Sequence, residues 1–421
     1  MSNQPAIESP RLRDLSETLE RGEADAIEYF WSEMTERGTP LIEPIEGDAE
    51  NSLVTFLWRA PEPVTGVGMV GYITDNRDNA MSRLLDTDVW YRSCVIANDV
   101  RATYQFHPQS GSEQQGAGPG GRFSNYVHDP LNPKTYVFEK DEEDPDGFEL
   151  IRSVVEMPNV SPQPLNERKG GVPEGSVEMH RLKSEILENE RRVWVYTPAG
   201  YEPDRSEPYD VLVLFDGTGY VKMSPLPTIL DNLIASGAIP PLVAIMPCSI
   251  SQAIRLRELL LHVPFNAFLV NELMPWAHER YPLTDDPLRV VVSGASAGGL
   301  GAAYAAFEHP ELFGNVLSLS GAFVFSPGLM SPGWKGEHEW LTRRIATSET
   351  KPIRFYLSAG TLEVVSMFDL RGGPALLPAN RHLRTVLELK DYEHWLHVFP
   401  GGHDMISWQG VIPEGLKALL G

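Results

Sequence analysis

Between Leu288 and Phe307 an apolar, mostly β-branched run, Leu288-Arg-Val-Val-Val-Ser293, breaks at Gly294-Ala-Ser-Ala-Gly298 and passes straight into the alanine-rich stretch Leu300 to Phe307. A continuous apolar run reads as a strand buried on both faces, and the alanines after it favour helix. A strand that turns into a helix within a few residues belongs to a mostly parallel sheet covered by helices. The turn constrains the chain further. A serine held on so tight a turn has strained backbone geometry that only small neighbours tolerate, and it stands above the sheet with a helix amino terminus aimed at it. Negative charge developing on a reacting oxygen is favoured at that place. Ser296 is therefore the candidate nucleophile.

The same alternation runs through the carboxy-terminal half. Arg191–Tyr196, Tyr209–Phe215, Leu242–Met246, Val316–Leu319, Ile353–Leu357 and Leu396–Phe399 read as strands. Pro227–Ala235 and the amphipathic Ala267–His278 read as helices. The fold class expected is α/β, an α/β-hydrolase with a mostly parallel central sheet. The amino-terminal part has another texture. Leu12–Gly38 has helical apolar spacing, and then Ser52–Arg59, Val67–Ile73, Asp88–Ile96, Arg101–Phe106 and Phe148–Glu156 are short segments rich in β-branched and aromatic residues, separated by turn residues. That pattern reads as an all-β sandwich. Gln109–Gly121, rich in Gly, Ser and Gln, reads as a mobile surface loop. At 421 residues the chain exceeds what one core usually serves. The expected division is a helix plus β-sandwich over 1–157, a Pro- and Gly-rich linker over 158–175 and a catalytic α/β domain over 176–421.

In a fold of this kind the order along the chain is Ser, acid, His. His403 follows the last strand in Gly401-Gly-His-Asp404, where glycines let a loop reach back over the sheet. His309, His338, His382, His394 and His397 lie in helical, strand or ordinary loop contexts. The acid is expected after the strand Ile353–Leu357. Glu363 stands there, Asp369 a little further on, and Asp404 beside the base. A Ser–His dyad without a strong acid is the remaining arrangement. The oxyanion donors expected are the amide of Ala297 and an amide of the loop Asp216-Gly217-Thr218. Gly217 is the first choice there, because without Cβ it can approach a ligand closely, and Thr218 is next.

The net charge of −23 speaks against a nucleic-acid partner, and it requires a local group of Arg or Lys for any anionic substrate. The two cysteines, Cys94 and Cys248, have no metal-ligand spacing and read as reduced structural thiols. Met1–Leu15 is polar, and no apolar run is long enough to span a bilayer, so a cytoplasmic protein is expected. Ester cleavage by such a site needs no cofactor and no protein-bound metal. The partner expected is a small-molecule ester, with no nucleic acid and no membrane; no oligomeric state follows from the sequence.

Beyond these motifs the chain resembles the enterochelin (ferric-enterobactin) esterases over nearly its whole length. Gly38-Thr-Pro-Leu-Ile42, Val54–Arg59, Thr87-Asp-Val-Trp-Tyr-Arg-Ser93 and Asp129-Pro-Leu-Asn-Pro133 look like that family's substrate-covering domain. Arg192–Pro198, Leu214-Phe-Asp-Gly217, Arg257-Glu-Leu259, Gly294–Gly299 and Gly401–Asp404 with Trp408 look like its hydrolase domain. The resemblance implies an immunoglobulin-like amino-terminal sandwich. It also implies an iron-loaded cyclic trilactone of catecholoyl-serine as substrate, whose serine esters are cut to loosen the grip on iron. Arg255 and Arg257, read as preceding a helix, and Arg92 from the sandwich side are the cations it offers to that anionic complex. Departures fall where substrate would lie: Arg255-Leu-Arg257 and His262, Thr218 and Tyr220, and Pro247-Cys248 replace the usual residues. A broad carboxylesterase for bulky aryl or acyl esters, an acyltransferase and a non-catalytic siderophore binder are the competing readings. The set Ser296, His403 and Glu363 speaks against the last.

Overall fold

A computed structural model describes residues 8–60, 64–73, 79–109, 125–144, 147, 149–331, 333–365 and 373–421. The chain divides into two compact units. One comprises Met1–Lys140, Phe148–Ser161 and Pro400–Gly402; the other comprises Asp141–Gly147, Pro162–Phe399 and His403–Gly421. Among the described residues no helix is long and apolar enough to cross a membrane. Most of the loop Gln109–Gly121 lies outside the described residues, as does Asp369.

In the first unit the helical spacing of Leu12–Gly38 resolves into two helices, α1 (Pro10–Glu20) and α2 (Ala26–Arg37). Gly22, at φ 82°, breaks the run in a conformation that glycine adopts freely. Among the described residues eight strands follow: β1 (Leu41–Ile45), β2 (Asp48–Arg59), β3 (Gly66–Gly71), β4 (Ser82–Arg83), β5 (Val89–Ala97), β6 (Arg101–Gln109), β7 (Thr135–Phe138) and β8 (Leu150–Glu156). They form two antiparallel four-stranded sheets, in the orders β1-β2-β5-β4 and β3-β6-β8-β7. Alternation along β2 explains how the layers stack. Phe56 meets Tyr104 of the other sheet at 4.7 Å between ring centroids, and Trp58 meets Phe106 at 5.4 Å. Leu57, between them, turns to the opposite face and joins Leu12, Leu15, Phe30, Trp31 and Met34 of the two helices.

The Asp129-Pro-Leu-Asn-Pro133 segment has a structural cause here. The buried Asp129 carboxylate accepts from Tyr104 Oη at 2.8 Å and from the Leu131 amide at 3.0 Å. Asn132 Nδ2 donates to Tyr104 Oη at 3.0 Å and to the Val154 carbonyl at 2.9 Å. Burial pushes the Asp129 carboxyl up, and these hydrogen bonds oppose it. A buried polar network of this kind is stable only when its members are satisfied, so the segment's residue types are set by one another.

The second unit is built on β9 (Ser176–Ser184), β10 (Asn189–Thr197), β11 (Asp210–Leu214), β12 (Leu242–Pro247), β13 (Val290–Ala295), β14 (Asn315–Leu319), β15 (Arg354–Gly360) and β16 (His394–Phe399). The sheet order is β9-β10-β12-β11-β13-β14-β15-β16. β10 runs antiparallel to both β9 and β12, and the other pairs are parallel. Its helices are α3 (Gly217–Lys222), α4 (Leu226–Ala235), α5 (Gln252–Leu259), α6 (Val263–Phe268), α7 (Met274–His278), α8 (Ala297–Glu308), α9 (Trp340–Thr347), α10 (Leu376–Leu389) and α11 (Met405–Leu420). The central strands β11, β12, β13 and β14 are buried at every position, in keeping with runs rich in Val, Leu and Ile that few polar residues interrupt.

Four readings are corrected. Leu288 and Arg289 belong to a 3₁₀ turn over Pro287–Arg289, where Pro287 has no amide for the sheet, and β13 begins at Val290. The helix expected over Ala267–His278 contains a π-helical turn, Leu269–Leu273, in which the Met274 amide reaches back to the Leu269 carbonyl. Pro275, which cannot donate to a preceding turn, sits just beyond it. Arg255 and Arg257 lie inside α5 rather than before a helix, because Ser251 Oγ caps that helix by accepting from the Ile254 amide at 3.3 Å. β9 carries no strand pattern in the sequence: it is an edge strand, largely exposed, with few apolar residues to mark it.

Candidate active site

β13 ends at Ala295 and α8 begins at Ala297, which leaves Ser296 alone at the turn with φ 60° and ψ −117°. Holding a non-glycine residue there costs about 1–3 kcal/mol. The neighbouring chain supplies the restraint: the Ser296 amide donates to the Leu319 carbonyl at 2.8 Å, and its carbonyl accepts from the Ala322 amide at 2.9 Å. A Cβ on Gly294 would stand 2.7 Å from the Gly298 carbonyl carbon, so this residue is glycine because the first helical turn folds back onto it. The amide of Ala297 is among the first of α8 and has no carbonyl one turn back to take it.

Past the carboxy-terminal end of β15 the chain turns at Gly360, and Glu363 folds back into the protein with 1% exposure. Its Oε2 accepts from the Gly360 amide at 3.1 Å, and its Oε1 lies 2.8 Å from His403 Nδ1. A carboxylate can only accept, so Nδ1 carries the proton and Nε2 is left as the basic nitrogen. The His403 ring is packed edge-on against Trp408 at 4.9 Å, and Trp408 Nε1 donates to Ser320 Oγ at 2.9 Å. Asp404, the alternative acid, is turned to another task. It is the amino-terminal cap of α11, accepting from the Ser407 amide at 3.0 Å. The other histidines have partners of their own: His309 with Glu311, His382 with Glu339, His394 with the Tyr392 carbonyl and His397 with Tyr356. His338 lies edge-on to Trp334.

Ser296, Ala297, His403 and Trp408 line one cavity of ≈ 400 Å³, and Arg255 and Gln252 reach it from α5. The rest of its described wall is apolar, chiefly Leu256, Leu260, Val324, Phe325, Leu329 and Leu376. Sequence reasoning missed this wall, because these residues come from three separate segments and none carries a motif.

The loop after β11 departs from expectation in its reason. A Cβ on Gly217 would lie 2.3 Å from the Met246 carbonyl oxygen of β12. Glycine is required there by the close approach of β12. Thr218 Oγ1 accepts from Trp194 Nε1 at 3.2 Å and lies 3.2 Å from Cys248 Sγ. Both cysteines are free; burial pushes the Cys248 thiol up and the Cys94 thiol up to about 11.

The three arginines part company. Arg255 Nε and Nη2 donate to Asp216 Oδ1 and Oδ2 at 2.8 and 2.7 Å, and Nη2 also reaches the Ala295 carbonyl at 3.3 Å. Burial works against its charge, and the adjoining Asp216 carboxylate outweighs it, raising its pKa. Arg257 is exposed and is not among the residues lining the cavity. It follows Leu256 by about 100° around the helix, away from the face of Gln252, Arg255 and Leu256. Arg92 belongs to the first unit, in β5, where Nη1 donates to the Ala80 carbonyl at 2.8 Å.

α5 is itself anchored by a buried ion pair. Arg191 of β10 and Glu258 are each 1% exposed in their side chains, with Nη2–Oε1 at 2.8 Å and Nη1–Oε2 at 3.1 Å. The guanidinium also lies over the Phe268 ring at 4.7 Å. Glu258→Ala leaves that charge without a counter-ion and is expected to destabilise the fold by about 3–5 kcal/mol in urea unfolding. Replacing both partners with apolar residues of similar volume should recover most of the loss. A loss below about 1 kcal/mol for the single change would show that α5 is held by other contacts.

A serine on a strained strand-to-helix turn, sharing a cavity with a carboxylate-bound histidine, is found in a chain whose residues 184–419 match the family model described as "Putative esterase". The protein is an ester hydrolase. Residues 53–165 match the model described as "Enterochelin esterase, N-terminal". An iron(III) enterobactin esterase of Dickeya dadantii (strain 3937) is 29% identical over 429 residues, covering 93% of this chain and 93% of the relative. An iron(III) salmochelin esterase of Escherichia coli O6:H1 is 26% identical, covering 97% and 98%. The crystal structure of an enterobactin esterase from Shigella flexneri, in the presence of enterobactin, is similar at a TM-score of 0.72 and 27% identity, covering 92% of this chain and 97% of that one. The chain belongs to the enterochelin esterase family.

Proposed function

We propose that the protein is a serine esterase of α/β-hydrolase fold, preceded by an immunoglobulin-like sandwich, that hydrolyses the serine esters of a catecholate trilactone siderophore. Ser296 Oγ attacks the ester carbonyl carbon while His403 Nε2 takes its proton, and Glu363 stabilises the imidazolium through Nδ1. The amides of Ala297 and Gly217 donate to the oxyanion. On collapse of the intermediate the imidazolium returns the proton to the departing serine hydroxyl of the substrate. Water, deprotonated by His403, then releases the acyl group from Ser296. The 2.8 Å contact between Glu363 Oε1 and Nδ1 of His403, which lines the same cavity as Ser296, carries the chemistry. The substrate rests on similarity to iron(III) enterobactin and salmochelin esterases along both parts of the chain. Iron enters as cargo of the substrate. Its release after hydrolysis would serve a cytoplasmic iron supply.

An anionic ferric complex larger than the cavity extends past its mouth and needs positive charge there, against a net charge of −23. Arg257, exposed on α5, is the proposed contact. The apolar wall favours one further reading, a carboxylesterase for neutral aryl or acyl esters. The two separate on purified protein given ferric and iron-free catecholate trilactones beside neutral nitrophenyl esters. Arg257→Gln is expected to raise KM for the ferric trilactone roughly threefold to tenfold, the range of a partly exposed charge contact, and to leave the neutral ester within about twofold. Wild-type protein that ignores the trilactones while cleaving neutral esters would assign it to the carboxylesterase reading.

A further inference from the structure

We infer that Arg255 is a positioning residue for the oxyanion site, acting through Asp216, rather than a contact for the siderophore. The inference rests on the proposed donor pair of Ala297 and Gly217, and it concerns how the Gly217 amide is held. Asp216, the residue before it, lies in left-handed backbone conformation at φ 64° and ψ 41°, uncommon for a residue with a side chain. Something must hold it there. Its two carboxylate oxygens take a bidentate grip from Arg255 Nε and Nη2 at 2.8 and 2.7 Å, and Ser249 Oγ adds a bond to Oδ1 at 3.4 Å. A planar guanidinium meeting a carboxylate in this way fixes orientation as well as distance.

The same guanidinium spans both halves of the proposed oxyanion site. Nη2 donates to the carbonyl of Ala295, the residue before Ser296, at 3.3 Å. Asp216 Oδ2 lies 3.6 Å from where a Cβ on Gly298 would stand, so the carboxylate is packed against the first turn of α8. Arg255 thus ties the turn between β11 and α3, which positions the Gly217 amide, to the turn after β13, which carries Ser296 and the Ala297 amide. α5 gives the arginine a fixed base, since Glu258, one turn along, is locked to Arg191 in the buried pair. A cation so engaged has its charge matched by Asp216 and offers little to an incoming anion. A brace of this kind acts on every ester, whatever its charge.

The test is steady-state kinetics on a neutral nitrophenyl ester, for which a siderophore contact has no role. Arg255→Ala and Asp216→Asn are each expected to lower kcat by on the order of 10²-fold, the effect of losing one oxyanion donor, with KM within about threefold. The double variant should be little worse than either single one, since both break the same contact. Guanidinium ion at millimolar concentration should restore part of the activity of Arg255→Ala and none of that of Asp216→Asn. A residue important only for folding would give neither the non-additivity nor the rescue. Should Arg255→Ala fail to fold, Arg255→Lys keeps the charge and stem but cannot make the bidentate contact, and the same fall in kcat is expected. Unchanged kcat on the neutral ester, with KM raised only for the ferric trilactone, would overturn the inference and make Arg255 a siderophore contact. Ser296→Ala, measured alongside, separates the two levels. Activity surviving in Ser296→Ala sinks the proposed mechanism itself, whereas its loss beside a fully active Arg255→Ala sinks only the brace.

Discussion

Ser296→Ala is expected to lower kcat for any ester by on the order of 10⁶ and to leave the fold intact. The hydroxyl is the only atom removed, and the acyl group then has no side chain on which to rest. The backbone of the turn is held by the Leu319 carbonyl and the Ala322 amide, and neither bond involves that hydroxyl. A fluorophosphonate probe should label wild-type protein and not the variant, and mass spectrometry should place the label on the peptide carrying Ser296. Labelling that survives the substitution would move the nucleophile elsewhere. A companion change reads the strain directly. Alanine keeps a Cβ at φ 60° and ψ −117°, and so keeps the cost, whereas glycine occupies that region freely. Part of the gain is lost to the freedom glycine adds to the unfolded chain. Ser296→Gly should therefore be more stable than Ser296→Ala by about 1 kcal/mol, with both inactive. Equal stabilities would mean that the turn holds no strain worth releasing.

The parts of the site that could be read in the sequence are those fixed by local geometry. A buried strand, a serine between small residues and a helix lie within about twenty consecutive positions, and the backbone at Ser296 is what that order requires. Gly401-Gly402 before His403 and the turn at Gly360 before Glu363 are also local, and both follow strands whose apolar runs are plain. What could not be read depends on pairing across distance and on helix phase. Arg255 and Asp216 are 39 positions apart, and Arg191 and Glu258 are 67 apart. Nothing near either arginine shows which carboxylate it will meet. Arg255 and Arg257 look alike as neighbours in a sequence. Once α5 begins at Gln252, one turns into the cavity and the other to solvent. The close contact that forbids a Cβ on Gly217 appears only when β12 is laid beside β11. The amino-terminal sandwich was legible as alternating short strands, but the reason for Asp129 and Asn132 appears only when Tyr104 and Val154 are brought to them.

Glu363→Gln decides whether His403 works within a triad, and its expected effect is second only to loss of the nucleophile. The amide cannot accept the Nδ1 proton as a carboxylate does; its NH₂ group can instead donate to Nδ1 and so favour the tautomer protonated on Nε2. That tautomer has no lone pair for the Ser296 proton, and no negative charge remains to stabilise the imidazolium. A fall in kcat of about 10² to 10⁴ is expected, with KM little changed, because the loss is felt in the transition state. Asp404→Asn should behave otherwise. Asparagine caps a helix about as well as aspartate, so the bond to the Ser407 amide survives and activity should stay within about threefold. Asp404→Ala should cost about 1 kcal/mol of stability through the lost cap and leave the catalytic step largely alone. The reverse pattern, a mild Glu363→Gln and a severe Asp404→Asn, would transfer the acid to Asp404. Two mild variants beside an inactive Ser296→Ala would leave a serine–histidine dyad. In that case the 2.8 Å contact between His403 and Glu363 orients the ring, and its charge contributes little to the reaction.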